Sequence, residues 1–133
     1  MKELTDVDKP ENQLAGIIIE ASIEVHREMG SGLLESVYLT CLSRELSGKG
    51  LNIKREVVFP VYYKGRQTDQ VLRIDLLVED LVVVEIKSSI DLQPLFLSQL
   101  KTYLKITDKR LGLLINFNVP ILKEGIRRVV NGL

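Results

Sequence analysis

The sequence predicts an α/β domain in which a mixed central sheet is flanked by helices. Three observations lead to this prediction: a hairpin of alternating residues near the middle of the chain, apolar residues at helical spacing on either side of it, and a nearly continuous apolar strand behind it. A chain of 133 residues is long enough for one core, so residues 1–133 are expected to form a single domain. Residues 1–11 are expected to be a flexible N-terminal segment.

The elements are predicted in the order helix, helix, three strands, helix, strand, helix. Apolar residues three and four positions apart predict helices at about 11–29, 33–46 and 92–106, and Val119-Pro120 should open a last helix that ends near Val130. Strands are predicted at 51–63, on each side of the hairpin turn near residue 80, and at 109–117. Pro60 should mark a bulge, a strand end or a sheet edge, because proline donates no ladder hydrogen bond.

The hairpin, Val71–Lys87, is the one place where charged residues interrupt a strongly apolar, β-branched run. A three-residue tip, Glu79-Asp80-Leu81, gives a register in which one face is wholly apolar, whereas a slip by one residue would bury a carboxylate among aliphatic side chains. This register sets Val78 opposite Val82, Leu76 opposite Val84, Ile74 opposite Ile86, and Asp75 opposite Glu85, with Lys87 on the face of the two carboxylates.

Two opposed carboxylates on neighbouring strands repel each other unless a positive charge lies between them, since their Cβ atoms are only about 4.5–5.5 Å apart. A hard divalent cation such as Mg²⁺ would resolve that repulsion, and Lys87 would then be available to a phosphate oxygen or an attacking water. The alternative is an ordinary solvated face on which Lys87 pairs with Glu85. Spacing alone favours this alternative.

Asp75 followed ten residues later by Glu85-Ile86-Lys87 resembles the signature of the PD-(D/E)XK nuclease superfamily, with Ile74 at the position of the proline. From about Leu14 to Val130 the chain is also similar to the GxxExxY proteins, a small family of that superfamily. The segments that carry this similarity are Val25–Tyr38, which includes the motif Gly32-Leu-Leu-Glu35-Ser-Val-Tyr38, and Arg73–Asp80 and Leu113–Pro120. The resemblance implies a restriction-endonuclease-like fold and a metal-dependent nuclease that hydrolyses phosphodiester bonds of DNA or RNA.

The resemblance also implies roles for particular residues. Asp75, Glu85 and the carbonyl of Ile86 would hold Mg²⁺ or Mn²⁺, and Lys87 would stabilise charge on the reacting phosphate. Glu35 matches the first-helix carboxylate that completes the metal site in some members of the superfamily. The residues alone leave its role open: it heads an apolar stripe and would face inward, or it lies in the first helical turn and complements the helix dipole.

Four further residues are candidates for substrate-binding or supporting roles. Gln99 lies where the superfamily often places a glutamine facing the site, and Tyr103 follows four residues later; the alternative is a surface glutamine and a core tyrosine. His26 occupies a family histidine position, although a histidine near a helix C-terminus is commonly a dipole partner. Arg73 belongs to a group of basic residues that forms either a phosphate-facing rim or a solvated edge; the others are Lys54, Arg55, Lys64 and Arg66. Relatives commonly have a histidine near Phe96, which is missing here.

Composition limits the class of protein. Eighteen basic residues balance eighteen acidic ones, which argues against a strongly non-specific nucleic-acid binder. One cysteine, Cys41, excludes an internal disulfide, and no apolar stretch approaches the length of a membrane span, so a cytoplasmic protein without membrane contact is expected. Neutral charge and small size also suit a second hypothesis, a catalytically silent nucleic-acid or protein interaction module. They equally suit a nuclease that relies on a protein partner or on a homodimer.

Overall fold

A computed structural model describes residues 9–133 as a five-stranded sheet with helices on both faces. The helices are α1 (Pro10–Met29), α2 (Glu35–Gly48) and α3 (Pro94–Thr107), and the strands are β1 (Ile53–Tyr63), β2 (Arg66–Val78), β3 (Val82–Lys87), β4 (Leu111–Asn116) and β5 (Ile126–Val130). The strands lie in the order in which they occur in the chain. β3 and β4 are parallel and the other neighbours are antiparallel, so the predicted mixed sheet flanked by helices is confirmed.

The sheet separates two apolar cores. Helices α1 and α2 pack on one face, where Ile18 and Leu42 meet Val84 of β3. Helix α3 packs on the other face, where Leu100 and Leu104 meet the neighbouring Val83. The apolar residues of β3 and β4 are buried on both faces, which explains why these two strands read as continuous apolar runs in the sequence.

The hairpin between β2 and β3 has the predicted three-residue tip. Val78 lies opposite Val82, and the ladder continues through Leu77 to Leu76 opposite Val84. The further pairing that we predicted, Ile74 with Ile86, is wrong: Ile74 packs in the core under α3, and Ile86 packs in the core under α1 and α2.

The physical reason for this difference lies where β1 and β2 cross from one core to the other. The β1–β2 ladder passes from Arg55 opposite Leu76 to Val57 opposite Ile74 and skips the pair between them, Glu56 and Asp75. Glu56 has a φ of 51°, in the left-handed region, and such a residue interrupts the alternation of side chains along a strand. The ribbon therefore turns over at Asp75.

Residues 57–74 form a two-stranded extension that we call the arm. Within residues 9–133 these residues pair with one another and with no third strand, because the β2–β3 ladder ends at Leu76. The tip of the arm is Lys64-Gly65, both at positive φ as a two-residue hairpin turn requires. The register shifts between Pro60 and Tyr62, which confirms the irregularity predicted at the proline.

The last helix predicted from the sequence is wrong. A single 3₁₀ turn, Leu122–Gly125, is followed by β5, which pairs antiparallel with β4. A Cβ on Gly125 would lie 2.2 Å from the carbonyl oxygen of Asn116, so the chain passes β4 too closely for any residue other than glycine. By pairing with β4, the segment satisfies backbone groups that would otherwise form a free strand edge, and this outweighs the helical spacing of its apolar residues.

The N-terminal expectation is partly wrong. Pro10 and Glu11 belong to α1, and the side chain of Glu11 is buried, with its Oε2 2.7 Å from Nη2 of Arg110. The remainder of the segment that we expected to be flexible, residues 1–8, lies outside the described residues. Within residues 9–133, no helix has the length and apolar character needed to span a membrane.

Candidate active site

Asp75 is joined to Glu85 and to the next residue, Ile86, by one hydrogen bond each, at the point where β2 leaves β3. The backbone N–H of Asp75 donates to Oε1 of Glu85 at 3.1 Å, and the backbone N–H of Ile86 donates to Oδ2 of Asp75 at 2.8 Å. The two carboxylates thus replace the backbone ladder, whose last pair is Leu76 and Val84. This exchange holds both acids between the strands.

The carboxyl group of Glu85 is in an unfavourable place for a negative charge. Burial, followed by the charge of Asp75, raises the pKa of Glu85 from 4.5 to about 8, although Lys87 and the backbone hydrogen bond act in the opposite direction. Glu85 is only 8% exposed. In the absence of a cation, the site therefore favours a protonated Glu85 at neutral pH.

Lys87 is not the ordinary ion-pair partner of Glu85. The nitrogen of Lys87 lies 4.6 Å from the ring centroid of Phe96 on α3, a cation–π contact, and no ion pair joins it to a carboxylate in the part of the chain that the structure describes. The alternative of a solvated Lys87–Glu85 pair is therefore not observed. Phe96 instead holds the amine on the α3 side of β3.

Glu35, the first residue of α2, lines a cavity of about 190 Å³ together with Asp75, Ile86 and Glu56; Ser36 and Leu39 complete the lining. Its side chain is exposed, so the hypothesis that it faces the interior is wrong. Its place in the first helical turn agrees with the dipole interpretation. The cavity brings an acid from each of three elements to one opening beside the backbone of Ile86.

The acid pair suits a hard cation in the chemistry of its donors. Carboxylate and carbonyl oxygens are the ligands that Mg²⁺ and Mn²⁺ prefer, and a cation would remove the repulsion that raises the pKa of Glu85. Among residues 9–133, however, no three His, Cys, Asp or Glu side chains form a cluster close enough to hold a metal ion. The pair therefore has the donor chemistry that suits a cation, but the described side chains do not supply a completed set of ligands.

A comparison with protein families decides the family. The model of the PD-(D/E)XK nuclease superfamily matches residues 12–129, nearly the whole chain. The chain belongs to the PD-(D/E)XK nuclease superfamily. Nucleases of this superfamily generally use divalent metals such as Mg²⁺ or Mn²⁺.

A solved structure supports the fold of this PD-(D/E)XK chain. The crystal structure of SSO0001 has a TM-score of 0.50 and 23% sequence identity to it, over 71% of this chain and 47% of that one. The chain thus spans about half the length of the protein to which it is structurally similar. This likeness, together with the mixed five-stranded sheet, agrees with a restriction-endonuclease-like fold. No match was found among curated proteins.

The loop before α2 is held in place by Tyr38. The hydroxyl of Tyr38 donates to the carbonyl of Gly30 at 2.6 Å and accepts from the N–H of Leu33 at 3.1 Å. Its ring is fully buried and stacks on Phe117, with 4.4 Å between the ring centroids. Gly32 has a φ of 91°, which favours glycine at this turn. These contacts give the motif residues a structural reason: Gly32 and Tyr38 fix the loop from which Glu35 starts α2.

Two polar residues of this PD-(D/E)XK chain, Ser88 directly after β3 and Asn116 at the end of β4, form hydrogen bonds beside this loop. The hydroxyl of Ser88 donates to the carbonyl of Leu33 at 2.5 Å, which ties the start of α2 to the residue after Lys87. The buried side chain of Asn116 accepts from the N–H of Ser89 and donates to its carbonyl. Ser88 therefore connects the end of β3 to the loop from which Glu35 starts α2, and Asn116 fixes the backbone that follows Ser88.

The supporting candidates are not all brought to the acid pair. Tyr103 on α3 lies near the acid pair. Burial, and then the charges of Glu85 and Asp75, raise the pKa of its phenol. Gln99 and Arg73 are exposed, Gln99 one turn before Tyr103 on α3 and Arg73 two residues before Asp75 on β2. His26 lies elsewhere: its Nε2 is 2.8 Å from the carbonyl oxygen of Val119, and it lines a separate cavity with Pro120 and Leu122.

The sequence analysis missed Glu56, Ser88 and Asn116. Glu56 lines the cavity of Asp75, but in the sequence it is one charged residue among several at the start of a strand. Ser88 stands in a polar run, Ser88-Ser89-Ile90-Asp91, of the kind that precedes a helix, and nothing in that run indicates a bond to Leu33. Asn116 interrupts the apolar strand before Phe117, and that interruption was the one signal that could have identified a buried polar residue.

Proposed function

We propose that this chain is a metal-dependent nuclease that hydrolyses phosphodiester bonds of DNA or RNA, and that it belongs to the GxxExxY group of the superfamily. The observation that supports this most is the placing of the two acids by backbone N–H groups: Glu85 accepts from the N–H of Asp75, and Asp75 accepts from the N–H of Ile86. Neither carboxylate forms an ion pair with a basic side chain among residues 9–133. The family gives the reaction class, and the acid pair gives the place for a cation.

In this proposal Asp75, Glu85 and the carbonyl of Ile86 hold Mg²⁺ or Mn²⁺, and Glu35 acts from the cavity that it lines together with Asp75 and Ile86. Such an ion, when bound, polarises the phosphate and lowers the pKa of a bound water. Glu35 orients that water, and the ammonium of Lys87 stabilises the negative charge that grows on the phosphate oxygens. Tyr103 and Gln99 support the site from α3, Arg73 contacts substrate, and His26 supports it from a distance by holding the segment after β4.

Cleavage assays test the reaction. Labelled single-stranded, duplex and branched DNA, and RNA, are incubated with Mg²⁺ or Mn²⁺ and with EDTA. We expect cleavage that requires the ion and that Lys87→Ala reduces by about 100-fold or more, whereas Lys105→Ala, an exposed lysine of the last turn of α3, should leave it unchanged. Equal cleavage by wild type and Lys87→Ala would refute the assigned role.

Calorimetric titration of Mn²⁺ tests the ion site separately from turnover. Asp75→Asn keeps an acceptor for the N–H of Ile86 but removes the charge, so binding heat should be lost without loss of the fold. Asp69→Asn, an exposed residue of the arm, is the matched control and should bind as wild type does. Absence of binding heat in all three proteins would count against the metal site.

A second candidate is a catalytically silent interaction module that retains the nuclease fold. Two observations favour it: the exposure of Glu35 and the lack, within residues 9–133, of a cluster of three metal-ligating side chains. This module would bind nucleic acid or protein without cleaving any substrate in the assays above. Fold alone does not decide between the two functions.

The remaining parts of the proposal concern the setting of the protein. We infer that residues 1–133 fold as a single PD-(D/E)XK-like domain that acts in the cytoplasm. A protein partner or a second copy of the chain would then supply specificity that a small, neutral domain lacks. Light scattering at several concentrations, with and without substrate, tests the homodimer.

A further inference from the structure

The arm has one covered and one open face. Val57, Phe59 and Leu72 pack against the core under α3, so the alternating residues point to the opposite side of the ribbon. There the exposed fractions are high for apolar residues: 52% for Val58, 59% for Tyr62 and 61% for Val71. We call this side the open face; its residues are Val58, Pro60, Tyr62, Val71 and Arg73.

The arm and its base carry an excess of positive charge. Residues 54–73 contain five basic and two acidic residues, a surplus of three in a chain whose net charge is zero. No ion pair to a carboxylate is formed by any of the five in the part of the chain that the structure describes. The five are Lys54, Arg55, Lys64, Arg66 and Arg73. Their charge is therefore available to an anionic partner.

The open face runs up to the cavity that Asp75, Glu56 and Glu35 line. It lies on the α2 side of the sheet, where Arg55 at the base of the arm donates to Oγ1 of Thr40 on α2 at 3.1 Å. Arg73 is two residues from Asp75, and Tyr62 is six residues from Glu56, or about 20 Å along the strand at the usual rise. That length corresponds to about six nucleotides at the spacing of a stacked strand.

We propose that the open face binds an unpaired stretch of nucleic acid and leads it to the cavity that Asp75 and Glu35 line; this deepens the nuclease function proposed above and rests on it. Tyr62 stacks on a base, and Arg73 contacts the phosphate backbone nearer the cavity. An exposed ring can stack on a base only when the base is not enclosed in a duplex, so the substrate has single-stranded character.

The nature of the open face argues against a purely protective role for the charges. Basic residues on a sheet edge can serve to prevent edge-to-edge aggregation. Such a role would not require Val58, Tyr62 and Val71 to be exposed beside them, since exposed apolar residues promote association. A surface that combines positive charge with an aromatic ring is instead typical of proteins that bind single strands.

Fluorescence anisotropy tests this inference in EDTA, so that cleavage does not interfere. The probes are a fluorescein-labelled 20-nucleotide single-stranded DNA of mixed sequence, its duplex, and the RNA of the same sequence. We expect a single strand to bind more tightly than the duplex. Tyr62→Ala should weaken single-strand binding by at least about fivefold, and Arg73→Gln should reduce the slope of log affinity against log salt by about 0.7.

Each variant has a matched control. Tyr63→Ala removes a ring that is 66% exposed on the opposite face of the same strand, and Arg128→Gln removes an exposed arginine of β5, at the other edge of the sheet. Both should bind single strands as wild type does. Thermal melting of all four variants checks that the fold is retained, which is expected because the altered side chains are exposed.

The outcomes separate this inference from the nuclease proposal. Binding that depends on Tyr62 and Arg73, in a protein that never cleaves, would support the open face and refute the nuclease. Cleavage by a protein in which Tyr62→Ala and Arg73→Gln bind as wild type does would refute the open face alone. Absence of binding to every probe would overturn the inference, and so would a change of oligomeric state in Tyr62→Ala with unchanged affinity, because the open face would then be a contact between copies.

Discussion

At the scale of single residues, the most consequential side chain is Glu85. It is buried, accepts a hydrogen bond from the backbone of Asp75, and has no cation in contact with it among the described side chains. Its raised pKa means that the folded protein binds a proton which the unfolded chain releases near pH 4.5. Stability should therefore fall as the pH rises from about 4.5 to about 8.

Substitution of Glu85 tests this linkage. Each unit by which the pKa is raised corresponds to about 1.4 kcal/mol in the free energy of unfolding, so the total loss of stability over this pH range is on the order of several kcal/mol. In EDTA, Glu85→Gln should melt at a higher temperature than wild type at pH 8.5, and the two melting temperatures should converge near pH 4.5, because glutamine keeps the acceptor without the charge. Glu20→Gln, an exposed carboxylate of α1, is the control and should change little at either pH. A constant difference between Glu85→Gln and wild type over this range would contradict the linkage.

Tyr38 is the second residue whose role can be isolated. Tyr38→Phe keeps the stacking on Phe117 but leaves the carbonyl of Gly30 and the N–H of Leu33 without their partner. The free energy of unfolding, measured by urea denaturation, should fall by about 1–3 kcal/mol. Tyr63→Phe, at an exposed ring, should leave it unchanged. An equal effect in both variants would show that the loop does not depend on the hydroxyl.

At the scale of elements, β5 shows why the spacing of apolar residues did not suffice to predict the last element of the chain. Leu122, Ile126 and Val129 are spaced as in a helix, and nothing in that segment reveals that β4 has an edge to be paired. The β2–β3 hairpin was predictable from its tip as far as Leu76 and Val84, because its alternation, its tip and its charges agree on one register. The inversion at Glu56 and Asp75 was not predictable, since periodicity assumes that a strand keeps one orientation throughout.

Two glycines provide a test of β5. In Gly125→Ala the new Cβ would meet a backbone carbonyl that cannot move aside, so the free energy of unfolding should fall by about 1–3 kcal/mol or more. Gly16 lies within α1, and no atom lies within 4 Å of the Cβ that alanine would add. Gly16→Ala should therefore raise the free energy of unfolding by up to about 1 kcal/mol. Urea denaturation measures both. Tolerance of alanine at position 125 would mean that β5 does not pass β4 as closely as described.

The same reasoning applies to the candidate site. The nearness of Asp75 and Glu85 was predictable because the two residues lie directly beyond the last ladder pair of one hairpin, Leu76 and Val84, which is a local property of the sequence. The contribution of Glu56 depends on β1 crossing beside Asp75, and the isolation of His26 depends on its bond to Val119, 93 residues away. Contacts between distant segments are set by packing, which a linear pattern does not record.

At the scale of the whole molecule, stability is concentrated where the two cores share strands. β3 and β4 lie between α1 and α2 on one side and α3 on the other, and nearly all of their residues are buried. The arm shares only one of the two cores and most of its residues are exposed. The arm should therefore open locally while the rest of the fold stays intact.

Hydrogen exchange measures this difference directly. Amides of β3 and β4 should exchange last, at the rate set by global unfolding, and low concentrations of urea should accelerate them. Amides at 60–71 in the arm should exchange earlier and respond weakly to urea, because their opening exposes little surface. Uniform protection across both regions would show that the arm unfolds only with the cores.

The two-residue turn at Lys64-Gly65 has a consequence for how such a protein can diversify. Because the arm branches from the sheet beyond Leu76, residues inserted in matched pairs on either side of that turn would lengthen the hairpin without displacing the acids at its root. The length of the arm can then change independently of the positions of Asp75 and Glu85. Longer or shorter hairpins grafted onto this sheet would change the surface that the arm presents and leave the hydrogen bonds of Asp75 and Glu85 as they are.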